Sequence, residues 1–195
     1  MPVTVATLLG TASLELTLHT PTADVDRPVS WVHVSELADP TPFLEGGEVL
    51  LTTGLTLAPE DPQLPDYVRR LAETGVVALG LGTGLSHPRM PDELVAAADA
   101  QGLAILEVPR QTPFIAISRA VSAALAAEEY AAVARTSAVQ QELTRAAVAS
   151  GAPAAVVDRL ARHLGGWALL LDAAGTPLEA APRSARARAG DLATA

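Results

Sequence analysis

The chain has 195 residues and no cysteine, and its 22 acidic side chains outnumber 13 basic ones for a formal charge of -9. Every basic residue is arginine, and lysine is absent. That composition excludes a disulfide framework, a zinc ribbon, a thiol nucleophile, a lysine Schiff base and a phosphate-loop lysine, and its acidity disfavours nucleic acid as a partner of this segment. The charge is uneven. Residues 1–66 hold ten acids against Arg27 alone, and the remainder sums to zero. A hydrophobic fraction of 49% is ample for a core, and the richness in alanine favours helix.

Residues 4–9 read as a short helix capped by Thr4. Leu14, Leu16 and Leu18 alternate with polar residues and predict a strand, as does the apolar pattern of residues 29–37. Pro40 and Pro42 end that second strand, and a turn begins at Phe43 and Leu44. Gly46-Gly47 leads into residues 48–51, a short apolar run that predicts a buried strand closed by Thr52, Thr53 and Gly54. Asp66 is positioned to cap a helix that ends at Gly75. Residues 76–81 form the next buried strand, and Gly80, Gly82 and Gly84 suggest a flexible exit loop. Residues 91–101 form a helix stopped by Gly102, and residues 103–108 a third buried strand. This strand–helix alternation implies parallel pairing, so residues 1–114 form an α/β domain with a small parallel or mixed sheet and flanking helices.

After Pro113 the pattern becomes helical, without glycine or proline, through residue 150. Ile117, Val121, Leu125, Val139 and Leu143 mark an apolar stripe, a weak heptad rich in alanine. Gly151 and Pro153 end it. A helix over 154–164, a strand over 167–171 and a partner strand over 178–181 follow, then an arginine-bearing flexible tail. The expected organisation is a domain over 1–114, a connecting helix over 115–150 and an incomplete α+β segment, the truncated start of a middle domain, over 151–195. No run reaches the roughly 18 apolar residues of a membrane span, and no leader pattern opens the chain. The expectation is a cytoplasmic protein that does not engage a membrane.

Catalytic and metal-binding patterns are weak. Gly80-Leu-Gly82-Thr-Gly84 follows a strand, but a dinucleotide fingerprint needs glycine where Leu85 stands. The four histidines are scattered, and His33 and Glu36, three apart on a strand, point to opposite faces. No nucleophile elbow is present. Glu36 and Glu48 could pair for acid–base work, or serve as caps. The reading is therefore no enzyme, no metal and no cofactor. Thr52, Thr53 and Gly54 lie at the carboxyl end of a buried strand, where open parallel sheets bind ligands and glycine admits a close approach; a capped turn is the alternative. The candidate ligand-binding set is Thr52, Thr53, Gly54, Glu36, His33 and Glu48.

Several ordered blocks carry a family resemblance. They are Val29-Ser-Trp-Val-His-Val-Ser-Glu-Leu37, Phe43-Leu-Glu-Gly-Gly-Glu-Val-Leu-Leu-Thr-Thr-Gly54, Gly75-Val-Val-Ala-Leu-Gly80, Leu106-Glu-Val-Pro109 and Thr112-Pro-Phe114. Over residues 3–125 they resemble the N-terminal domain of the purine catabolism regulator (PucR) family, and residues 140–182 resemble the start of that family's middle domain. The resemblance implies a bacterial transcription regulator whose N-terminal domain senses a metabolite, with a purine-degradation intermediate such as a ureide as effector. It also implies a C-terminal helix-turn-helix beyond residue 195, so this segment is not expected to bind an operator itself. A homodimer through the 115–150 helix is expected. Carboxylates in the acidic first third would accept from ureide N–H groups, and an anion would be disfavoured unless Arg27 or Arg110 is near. A looser likeness to the N-terminal domains of Mur ligases and HPr kinase keeps a second reading open, an accessory substrate-presenting or structural domain of a larger enzyme.

Overall fold

The computed structural model describes residues 2–58, 62–150 and 153–189. The chain divides into two compact units, Met1–Glu129 and Tyr130–Ala195.

In the first unit, a five-stranded sheet runs in the order β1-β5-β4-β3-β2. It comprises β1 (Thr17–Leu18), β2 (Trp31–Val34), β3 (Glu48–Thr52), β4 (Ala78–Gly82) and β5 (Ala104–Val108). The strands β2 to β5 are parallel, and β1 adds antiparallel to β5. Every residue of β3 and β4 is buried, which explains their unbroken apolar runs. Pleating splits the core in two. Val49, Leu51, Ala78, Leu106 and Val108 pack with α1 (Val5–Leu9) and the first turns of α4 (Phe114–Ser150). Leu50, Leu79, Leu81 and Ile105 pack with α2 (Leu64–Thr74) and α3 (Asp92–Gln101). Thr4 caps α1 in a capping box with Thr7. Gly75 and Gly102 end α2 and α3 at φ +93° and +66°, the left-handed region that glycine enters without Cβ strain.

Some sequence expectations change. The strand expected from Leu14 shrinks to Thr17–Leu18, because Ala12–Leu14 forms a 3-10 turn that buries Leu14 in the same cluster. Asp66 does not cap α2. The helix starts at Leu64 with proline in its first turn, and Asp66 lies inside that turn, where a carboxylate complements the helix dipole. Gly80 and Gly82 belong to β4 rather than to a loop. A Cβ on Gly80 would come 2.5 Å from Leu51 Cδ2, and one on Gly82 would come 3.1 Å from Phe114 Cζ, so both glycines serve close packing.

The long helix is present as α4, 37 residues from Phe114 to Ser150, and it continues across the boundary between the two units. In the second unit, α5 (Pro153–His163) packs on a two-stranded antiparallel sheet of β6 (Ala168–Leu171) and β7 (Pro177–Ala181). Arg183–Arg188 forms a 3-10 helix where a loose tail was expected, and Arg188 lies 5.3 Å over the Trp167 ring. The expected break at Gly151 and the last residues of the tail lie outside the described residues. Among the described residues no helix is long and apolar enough to cross a membrane.

Leu50 is fully buried, whereas Leu55 is 71% exposed. Replacing Leu50 with alanine is expected to cost about 2–5 kcal/mol in urea unfolding. The same change at Leu55 should stay within about 0.5 kcal/mol.

Candidate functional site

The parallel strands end together at one edge of the sheet, and the turn after β3 is fixed there by one carboxylate. The chain leaving β2 brings Glu36 against residues 52–55. Glu36 accepts from the Thr52 hydroxyl at 2.8 Å, the Thr53 N–H at 2.6 Å and the Leu55 N–H at 3.4 Å. Thr52 Oγ1 in turn accepts from the Gly54 N–H at 3.0 Å. Burial pushes the Glu36 carboxyl up, and these hydrogen bonds outweigh that, leaving it below its ordinary value. The Tyr67 phenol, buried close by, is raised first by burial and then by the Glu36 charge.

Gly54 takes φ +74°, and the group that approaches its backbone is a side chain of the protein itself. A Cβ at Gly54 would sit 2.6 Å from the His87 ring. His87 is buried, and its Nε2 donates to the Gly54 carbonyl at 3.0 Å. The space that glycine provides is therefore occupied by His87, not left for a ligand.

The candidate residues do not form one cluster. Glu36, Thr52, Thr53 and Gly54 come together at the carboxyl ends of the strands. Glu48 lies at the opposite end of β3, four residues or about 13 Å away. There it is buried and accepts from the N–H groups of Glu45 at 2.7 Å and Gly46 at 2.8 Å, capping the Gly46-Gly47 turn. His33 is half-buried in β2, in register with Leu50, and takes no part in the Glu36 lock. The Glu36–Glu48 acid–base pair is thus excluded by distance. Among the described residues no group of three His, Asp or Glu side chains is placed to hold a metal.

Beside the Glu36 lock lies a cavity of about 220 Å3. Thr53 reaches it from just after β3, Gly82 and Thr83 from the end of β4, and Val108 and Arg110 from the end of β5 and the turn beyond it. Leu85, Pro109, Thr112 and Pro113 also line it, as does Phe114, the first residue of α4. Thr83 donates to Glu107 at 2.8 Å, the second Glu107 oxygen accepts from His19 at 2.8 Å, and Thr112 donates to the Leu14 carbonyl at 3.0 Å. Thr83, Thr112, His87 and Phe114 escaped the sequence-based site. Their signal was positional: the rule that selected the exit of β3 applies equally to the exits of β4 and β5. A wider groove of about 660 Å3 lies between α4 and α5 in the second unit. Glu142 in its lining lies 3.7 Å from Arg159 and 2.9 Å from His163.

Residues 7–125 match the sequence profile of the Purine catabolism regulatory protein-like (PucR) family. The chain belongs to this family. It is 33% identical over 143 residues to the transcriptional activator PmfR of Paenarthrobacter nicotinovorans, a match covering 73% of this chain and 30% of that protein. It is 31% identical over 84 residues to the purine catabolism regulatory protein of Bacillus subtilis (strain 168), covering 43% of this chain and 16% of that one. The chain thus spans less than a third of either relative's length. A solved structure of the CBS and DRTGG domains of a Clostridium perfringens pyrophosphatase regulatory region, complexed with the activator diadenosine tetraphosphate, aligns over 52% of this chain and 40% of its own. At 14% identity and a TM-score of 0.37, it is too distant to assign a shared fold.

Two predictions test the lock. Gly54→Ala forces a non-glycine residue to positive φ against the His87 ring, and should lower stability by about 1–3 kcal/mol in urea unfolding. Glu36 contributes fully above its ordinary pKa of 4.5 and loses that contribution as pH falls through its lower folded value, because the unfolded chain takes up the proton first. The stability difference between wild type and Glu36→Gln should therefore shrink with acidification below that point, in urea titrations run across the acid range.

Proposed function

We propose that this chain is the regulatory N-terminal region of a PucR-type transcription regulator, in which the unit Met1–Glu129 senses a small effector and α4 carries the response. The carrying observation is the cavity wall, where Phe114 is at once a lining residue and the first residue of α4, with Thr112 and Pro113 lining just before it. An effector in the cavity necessarily touches the first turn of a helix that continues into the second unit. Such an effector acts by binding one arrangement of that turn more tightly than another. Phe114 is the natural moving part, since its ring rests against Gly82.

The proposed effector class is a nitrogen metabolite, a purine-degradation intermediate in the first instance, which follows the family and the printed name of the Bacillus relative. The cavity volume supports a compact ligand, since drug-sized pockets run to roughly 300–1,000 Å3. The region works in the cytoplasm, where the operator lies, and DNA reading belongs to a part of the full regulator outside this segment. A homodimer through α4 is supported by Tyr130, Val133 and Val148, which are 79%, 64% and 81% exposed on that helix. The accessory-domain reading gains no support from the two relatives described, neither of which is named as an enzyme.

A panel of hypoxanthine, urate, allantoin and allantoate should contain a member that raises Tm, by linkage of about 2.7 kcal/mol at a hundredfold excess over Kd. Thr53→Met, which fills the cavity mouth, should abolish the shift with circular dichroism unchanged. A flat panel with no calorimetric heat would remove the sensing role. Light scattering should give twice the chain mass, reverting to the monomer in Val133→Glu; a wild-type monomer at all concentrations contradicts the dimer.

A further inference from the structure

Within the second unit, α5 lies against one side of α4. On that side Val139, Glu142, Leu143 and Ala146 are buried or half-buried, and Glu142 meets Arg159 and His163 of α5. Tyr130, Val133, Ser137, Gln140, Thr144 and Val148 lie on the other side, and all six are exposed. Resting on the dimer reading above, the geometry points to this exposed side as a seam that pairs with the same side of a second copy, parallel and in register.

The shape of the surface calls for a helix. Val133, Thr136, Ser137 and Gln140 surround a hollow of about 340 Å3. Ser137, Gln140, Gln141 and Thr144, with Arg145 beside them, surround the next, of about 470 Å3. Both sets of four have the spacing i, i+3, i+4, i+7, which forms the hole that receives one side chain of a facing helix in a coiled coil. When two copies run parallel and in register, the second copy's Ser137 enters the first hole and its Gln140 the second.

The charge pattern calls for a copy of this chain. With Tyr130, Ser137 and Thr144 at heptad position a and Val133, Gln140 and Ala147 at d, no charged residue stands at a, d, e or g from 130 to 148. Arg135, Glu142 and Arg145 all fall at b or f. A chain of formal charge -9 repels a second copy at long range, so an uncharged stripe is where two copies meet at least cost.

Matching of layers sets the direction. Parallel pairing places Tyr130 and Val133 on their own counterparts, and Gln140 on Gln140, whose amide both donates and accepts. Antiparallel pairing through the same holes sets the Val133 methyls against the Thr144 hydroxyl. Polar residues at the seam lower affinity and fix register. The stripe expected from the sequence is a different one. Its Ile117 and Val121 are buried in the core of the first unit, and its Val139 and Leu143 are half-buried on the α5 side.

The chain has no cysteine, so single introduced thiols report their neighbours directly. In the full chain under mild oxidation, Val133→Cys and Thr144→Cys should each give a disulfide-linked dimer, and Ala138→Cys, at position b, should not. A mixture of the first two variants should add no cross-product, because the two positions are roughly 16 Å apart along a parallel pair. Gln140→Leu should lower the dimer dissociation constant about tenfold, the scale of burying an imperfectly paired amide. A dominant cross-product overturns the parallel direction. A light-scattering dimer in which neither Val133→Cys nor Thr144→Cys cross-links overturns the seam, and a Gln140→Leu dimer no tighter than wild type overturns the polar layer. All three results leave the dimer itself standing. A wild-type monomer at all concentrations removes the dimer reading and the seam with it, so the two failures are distinguishable.

Discussion

The Glu36 carboxylate is the contact on which the carboxyl edge of the sheet depends. It joins the exit of β2 to the exit of β3 by gathering the Thr52 hydroxyl and the Thr53 and Leu55 N–H groups on its two oxygens. A turn of this kind leaves several backbone donors pointing the same way, and a buried donor without a partner costs about 1–3 kcal/mol. A carboxylate from a neighbouring strand satisfies them together. Once that turn is fixed, Gly54 takes a positive φ, His87 closes over it, and Thr53 is held at the cavity.

The same economy of roles explains the acidity of the first third. Ten carboxylates against one arginine suggested an electronegative site awaiting a donor-rich ligand. The structure assigns the two that matter to the backbone: Glu36 ties the turn after β3, and Glu48 ties the turn before it. At each end of β3 a glutamate does the work of a cap. The arginine in the cavity lining, Arg110, comes from outside that third, just beyond β5.

Much of the fold was legible because its signals are local. Unbroken apolar runs marked β3, β4 and β5, and Gly75 and Gly102 marked helix ends through the φ they adopt. The long helix announced itself by the lack of glycine and proline from Phe114 to Ser150. The site was half legible. Thr52, Thr53 and Gly54 were selected from their position at the end of a strand and Glu36 as a candidate carboxylate, and these four do meet. Gly82 was misread as loop because its reason for being glycine is the Phe114 ring, 32 residues away in sequence. Thr83 and Thr112 carry no motif, and only the convergence of three strand ends with a helix start gives them a shared role. Glu48 was misplaced for the opposite reason, since proximity in sequence to the Thr-Thr-Gly turn hid that a strand separates its two ends by its full length.

The central claim is that the cavity at the strand ends and the first turn of α4 form one responsive element. Hydrogen exchange across the full chain, with and without the tightest-binding member of the panel, tests it most directly. The account predicts slowed exchange in residues 53–55, 83–85 and 110–118 together, with the protection running into α4. Protection confined to the other end of the sheet, around residues 30 and 45–48, with α4 unchanged, would contradict it.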